Sequence, residues 1–248
     1  MSSKQKHRGQ QSNDPRLFGE KWVPVLNRAV HDLAWLLGRD YAEKSALALV
    51  GNRYRLNVRQ RKALLRAVCA DEACHRRQAK RLQAAQLRGE SLVIDGYNLL
   101  ITMESALAGG LVIECRDGTF RDIASVHGTY RKVEETLPAL TMIGVHLQTL
   151  QVAHVDWLLD RPVSNSGRLK GIMLDIAEQY GFDWSVELLN SPDKGIVERS
   201  ESVAISSDGW VLDHCQRWYN LNRDLLRSIP KANVIKLDGH LDGWEGDE

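Results

Sequence analysis

Three aliphatic runs in this chain end on aspartate: Ser91-Leu-Val-Ile-Asp95-Gly-Tyr-Asn98, Trp157-Leu-Leu-Asp160 and Val203-Ala-Ile-Ser-Ser-Asp208. Each reads as a buried strand that delivers a carboxylate to its C-terminal end. Asp193, in Ser191-Pro-Asp-Lys-Gly195, follows a further apolar run, Trp184–Leu189. Mg²⁺ and Mn²⁺ are hard cations that prefer carboxylate oxygens and keep several waters. Carboxylates gathered from several elements could hold one or two such ions, which activate water and stabilise the leaving oxygen in phosphodiester hydrolysis. A strand-end Asp can equally cap the helix that follows it, and Asp160 and Asp208 each admit that role. Asp residues on equivalent ends of one sheet favour a shared site.

Other chemistry lacks its signatures. The sequence holds no phosphate-binding Gly-x-x-x-x-Gly-Lys-Ser/Thr loop, no Gly-x-Gly-x-x-Gly after the first strand and no Gly-x-Ser-x-Gly elbow. Asp95-Gly-Tyr lacks the Asp-x-Asp of an aspartyl phosphotransferase. Cys69, Cys74, Cys115 and Cys215 form no Cys-x-x-Cys pair and read as buried thiols. Glu114, Asp117 and Asp122 fall around a hairpin and could add a carboxylate to the site or line its mouth, although exposed charge is the ordinary expectation there; Asp213, one helical turn beyond Asp208, could also face the site or be ordinary helix first-turn charge.

The net charge of +1 conceals an asymmetry. Residues 1–90 carry 19 Lys and Arg against 8 Asp and Glu, and the remainder carries 14 against 24. Arg53, Tyr54, Arg55, Arg59, Arg61 and Lys62 set five cations around one aromatic ring, and Arg66, Arg77 and Arg81 follow on the next helices. Such a surface suits phosphates and a stacked base. The same charges could instead dock on the acidic half of the chain.

The elements that must position these residues follow from periodicity. Residues 1–19 read as a disordered polar tail and 20–90 as a basic all-α domain, with Asp40, Asn57 and Asp71 as helix caps. Residues 91–240 alternate strands with helices and include a hairpin turning at Asp117-Gly118. That alternation predicts an α/β domain with a mostly parallel sheet flanked by helices, whose ligands bind at the strand C-terminal edge. Residues 241–248 form an acidic tail. No apolar run is long enough to span a bilayer and no secretory signal is present, so a reducing cytoplasmic setting is expected.

The motifs Ile94-Asp95-Gly-Tyr-Asn98, Leu158-Leu-Asp160, Pro192-Asp193-Lys-Gly-Ile-Val-Glu198 and Val203-Ala-Ile-Ser-Ser-Asp208 resemble, in that order, those of the NYN branch of the PIN-like nuclease superfamily. The resemblance covers residues 91–240 and departs from the family at Lys194, where an acidic residue is usual. It implies a PIN-like, Rossmann-like domain in which Asp95, Asp160, Asp193 and Asp208 bind Mg²⁺ or Mn²⁺ with Asn98 beside the first. The implied activity is metal-dependent hydrolysis of RNA, with Asp95, Asp160, Asp208 and Asn98 as the catalytic set. The Lys194 departure leaves open a PIN-like protein that binds RNA without cutting it. A module whose charged halves dock on each other is the third reading. A small helical domain before such a domain also resembles uncharacterised prokaryotic proteins.

Overall fold

The computed structural model describes residues 7–124 and 128–240; the acidic tail, His127 and the first residues of the N-terminal tail lie outside these. The chain begins with five helices: α1 (Asp14–Phe18), α2 (Val23–Leu37), α3 (Glu43–Arg53), α4 (Val58–Ala67) and α5 (Asp71–Ala79). Asn57 caps α4 as the sequence suggests, in a reciprocal capping box with Gln60. Asp40 does not cap α3: it sits in the left-handed region (φ 60°), and the helix starts at Glu43. Asp71 lies in the first turn of α5, which follows Ala70.

The α/β portion runs β1 (Ser91–Asp95), α6 (Gly96–Leu107), β2 (Val112–Cys115), β3 (Phe120–Asp122), α7 (Thr136–Thr149), β4 (His154–Asp160), α8 (Ser166–Tyr180), β5 (Trp184–Leu189), α9 (Pro192–Glu198), β6 (Val203–Ile205), α10 (Gly209–His214), α11 (Leu221–Arg227) and β7 (Val234–Leu237). Four strands form an all-parallel sheet in the order β5-β4-β1-β6. Side chains alternate across it. Leu92, Ile94, Trp157 and Leu159 enter a core with α6, α7 and α8, while Val93 and Leu158 face α9 and α10. The C-terminal ends of β1, β4 and β6 therefore share one edge.

The remaining strands make a second sheet, β3-β2-β7, with β2 antiparallel to β3 and parallel to β7. The β-hairpin turns at Asp117-Gly118 as expected, Gly118 taking φ 77°. The strand at Val234–Leu237 does not extend the first sheet as the simple alternation suggests. Buried α6 contacts β1 and β4 on one side and β2 and β3 on the other. It is buried at nearly every position, the polar Thr102, Glu104 and Ser105 included, so it lacks the exposed polar face that marks a surface helix.

The N-terminal helices cover the second sheet. Leu26, Val30, Leu33 and Leu64 share one apolar core with Leu111, Ile113, Ile123 and Leu237. The basic segment is thus built onto the α/β portion through buried apolar area, the main favourable term in association.

The described part of the expected disordered tail is folded. Buried Arg8 donates through Nε to Glu104 Oε2 at 2.6 Å and through its guanidinium to the Arg131 carbonyl at 2.7 Å. Glu104 is fully buried on α6, and its other oxygen accepts from Tyr130 (2.5 Å) and Thr136 (2.6 Å). Arg8→Ala leaves that carboxylate without its cation and should cost about 3 kcal/mol or more, read as a lower urea midpoint. Adding Glu104→Gln should recover part of it; a loss below about 0.5 kcal/mol, the ordinary range for surface changes, would show the contact is not made in solution.

Candidate functional site

The opening motif connects three corners of the first sheet. Asp95 ends β1 and caps α6, its Oδ1 accepting the Asn98 amide at 3.3 Å, while Oδ2 accepts the Ser206 hydroxyl at 2.9 Å. Asn98 Oδ1 accepts from both the amide (3.0 Å) and the hydroxyl (2.7 Å) of Ser207. Tyr97 meets Ser166 at 2.7 Å, and Ser166 donates to the Asp160 carbonyl at 2.6 Å. Gly96 is required by close approach: a Cβ there would lie 2.5 Å from Leu159 Cδ2 and 2.9 Å from the Leu158 carbonyl. The corners after β1, β4 and β6 are thereby held in fixed relation.

A cavity of about 320 Å³ opens at this edge, lined by Asp95, Tyr97, Asn98, Ile101, Asp122, Asp160, Asp193 and Asp208, together with Arg66. All four sequence-predicted metal ligands and Asn98 therefore come to one place. Capping and site formation coexist, since Asp208 caps α10 by accepting from Trp210 (2.8 Å) and Val211 (3.2 Å) through Oδ1. Asp160 caps nothing: the residue before α8 is Asn165. Lys194 is exposed and does not line the cavity.

The electrostatics are those of crowded acids. Burial, then the charges of Asp193 and Asp208, push the Asp95 carboxyl up to about 7 against the pull of Ser206 and the Asn98 amide. Asp193 is raised by burial and by Asp208 and Asp160, and Asp160 by burial. Of the three hairpin acids that could have added a carboxylate here, Asp122 alone lines the cavity among the described residues. It ends β3, nearly buried, and accepts from Thr102 at 3.1 Å through Oδ2. Its place at the hairpin admits both an exposed and a lining role, and the position of the second sheet decides between them.

A second charged network lies behind the cavity. The Arg121 guanidinium donates to the Ser207 carbonyl (2.6 Å), the Arg66 carbonyl (2.7 Å) and Asp117 Oδ2 (2.6 Å). Arg77 donates to the same Asp117 oxygen at 2.7 Å and to both oxygens of Asp213 at 2.8 Å. Asp117 and Asp213 are thus not solvated charge. Burial alone would raise Asp117, but Arg121, Thr119 and Arg77 outweigh it and hold the carboxyl at about 2. Because that value lies below the ordinary one, its stabilisation is complete above about pH 4 and fades as pH falls toward 2, by roughly 2 kcal/mol. Urea midpoints between pH 5 and 2 should fall less steeply for Asp117→Asn than for the parent chain; equal slopes would refute the assignment.

The expected nucleic-acid residues divide. Arg77 is corrected outright: it is buried between two carboxylates and unavailable to a ligand. Arg59 is held by Asp14 at 2.5 Å, and Lys62 donates to the Ile123 carbonyl at 2.9 Å. Arg61 reaches the Leu56 carbonyl (2.9 Å) and Asn52 (2.8 Å), and Tyr54 donates to Asp32 at 2.9 Å. Arg53 and Arg55 are exposed, Arg53 pairing with Asp32. Arg81 is half-buried, its backbone bridging to Trp218. A helix repeat cannot distinguish a solvated Arg from one that docks internally, which is why the pattern over-counted the free cations.

Fold and site together define an α/β protein with a carboxylate-lined cavity at the C-terminal edge of a parallel sheet. Residues 84–224 match the family described as a domain of unknown function, DUF5616, and the chain belongs to that family. Residues 25–80, the helices α2 to α5, match a second family, the protein of unknown function DUF434. The chain is similar to the uncharacterized protein MJ0935 of Methanocaldococcus jannaschii, at 27% identity over 195 residues, covering 76% of this chain and 93% of the relative. No solved structure matches it. No helix among the described residues is long and apolar enough to cross a membrane.

Proposed function

We propose that the chain is a divalent-metal-dependent phosphodiesterase with a PIN-like α/β domain, acting on RNA. The observation that carries this reading is the convergence of Asp95, Asp122, Asp160, Asp193 and Asp208 on one cavity. Among the described residues no three acidic, His or Cys side chains stand close enough to form a ready-made metal cluster. That spread is what mutually repelling carboxylates adopt, and Mg²⁺ commonly takes only one or two carboxylates and completes its shell with water. The all-oxygen donor set suits Mg²⁺ or Mn²⁺, and Asp122 adds a further, nearly buried carboxylate to the same lining.

Asp95, Asp160, Asp193 and Asp208 would hold the ion, which when bound would polarise the phosphate and lower the pKa of its water. Asn98 fixes the corner bearing Asp208 against that bearing Asp95, through Ser207. The exposed Trp210, two residues after Asp208 and stacked on His214 at 4.4 Å, and the exposed Arg53 and Arg55 offer a base-stacking face and phosphate contacts. Because Lys194 lies outside the cavity lining, it puts no positive charge among the acids, which favours cutting over binding alone. The test is cleavage of labelled single-stranded RNA by metal-stripped protein with Mn²⁺ restored. RNA binding that persists without metal and without cleavage would sink the enzymatic reading.

A further inference from the structure

Among the described residues lining the acidic cavity, Arg66 supplies the positive charge. It comes from α4, in the segment that matches a different family from the one providing the carboxylates. Its side chain makes no ion pair with Asp122, although its charge eases the ionisation of that buried acid. Lys62, one turn earlier on α4, is turned instead to the carbonyls of Ile123 and Ala124 at 2.9 and 3.4 Å.

The position of Arg66 is well determined. Helix α4 packs on β2 and β3 through the shared apolar core. The Arg121 guanidinium that grips the Arg66 carbonyl at 2.7 Å also grips the Ser207 carbonyl at 2.6 Å, beside Asp208. One buried group thus sets the spacing between the helical segment and the edge that bears the acids. A guanidinium is a planar fork of donors suited to two oxygens of one phosphate. With a cation held among the carboxylates, an anion in the cavity could contact both that cation and Arg66.

We propose that Arg66 binds the non-bridging oxygens of the substrate phosphate, so that the helical segment completes the site rather than merely flanking it. This rests on the metal-dependent phosphodiesterase reading, and it gives the two matched segments one joint function. The competing explanation is that Arg66 only balances the charge of Asp122.

The experiment uses the full chain, saturating Mn²⁺ and inorganic phosphate as the probe. Electron paramagnetic resonance reads Mn²⁺ affinity, and ³¹P relaxation enhancement reads phosphate held near the bound ion. Arg66→Gln should weaken phosphate binding by about tenfold or more, with Mn²⁺ affinity and thermal midpoint nearly unchanged, and Arg66→Lys should keep part of it. The double variant Arg66→Gln/Asp122→Asn should stay weak; full recovery would show that Arg66 merely neutralises Asp122 and would overturn the proposal. Phosphate binding as tight in Arg66→Gln as in the parent chain, or none in the Mn²⁺-loaded parent, would also overturn it while leaving the metal site standing. Failure to bind Mn²⁺ would remove both.

Discussion

Asp95→Asn should reduce Mn²⁺-dependent RNA cleavage by about a hundredfold or more, on the scale of removing a group that stabilises transition-state charge, while the chain stays folded. The carboxylate sits at the end of the central strand, almost fully buried, and belongs to the same cavity lining as Asp160, Asp193 and Asp208. An Asn side chain keeps an oxygen that can accept the Asn98 amide or the Ser206 hydroxyl, so the corner retains much of its bonding. Stability supplies a second readout. Burial and the neighbouring acids place the Asp95 carboxyl at about 7, above its ordinary value. Its contribution to the metal-free fold is therefore complete below about pH 4 and is lost as pH rises through 7. The Asn variant does not titrate, so at pH 8 without metal it should melt at or above the parent temperature, and the difference should shift in the parent's favour toward pH 4. Added Mn²⁺ should raise the melting point of the parent and not of the variant, as any ligand that binds only the folded state does. Cleavage that survives the substitution would sink the assignment of the site. A variant that loses cleavage together with its melting transition would instead mark Asp95 as structural.

Arg121→Met should destabilise the chain by about 3–5 kcal/mol, the range found when one partner of a buried ion pair is removed. Arg121 is 7% exposed and the Asp117 side chain is fully enclosed. The substitution strips a donor from Asp117 and leaves the carbonyls of Ser207 and Arg66 without theirs. Arg77 still reaches Asp117, so the carboxylate keeps one cation, and the loss should fall toward the lower end of the range. Adding Asp117→Asn removes the buried charge and should recover part of the loss in a double-mutant cycle on urea midpoints. Cost below about 1 kcal/mol would mean that the network adds no more than an exposed pair. The substitution also loosens α4 relative to the cavity edge, so phosphate affinity should fall even where the fold survives.

The local grammar of the chain was readable. Runs such as Leu92–Asp95 and His154–Asp160 are apolar segments of strand length ending on Asp, Gly181 stops α8 in the left-handed conformation that favours glycine, and Asn57 with Gln60 writes a capping box into sequence. Parallel β-α alternation placed the strand ends on one edge, and Asp95, Asp160, Asp193 and Asp208 do line one cavity there. Helix α6 is hard to read because its polar Thr102, Glu104 and Ser105 are buried with its apolar residues, so polarity along it does not mark which face meets water.

By itself the sequence determined that carboxylates would arrive at the C-terminal ends of parallel strands, because side-chain alternation, turn chemistry and strand length are properties of neighbouring residues. Only the tertiary structure decided what stands around them. The separate β3-β2-β7 sheet, the burial of Arg77 between Asp117 and Asp213, and the meeting of Asp122 and Arg66 at the cavity all join residues far apart in the chain. An arginine reads the same in sequence whether water, a carboxylate or a substrate phosphate will face it. Packing of α4 on the second sheet, through nonlocal apolar burial, makes that choice for Arg66.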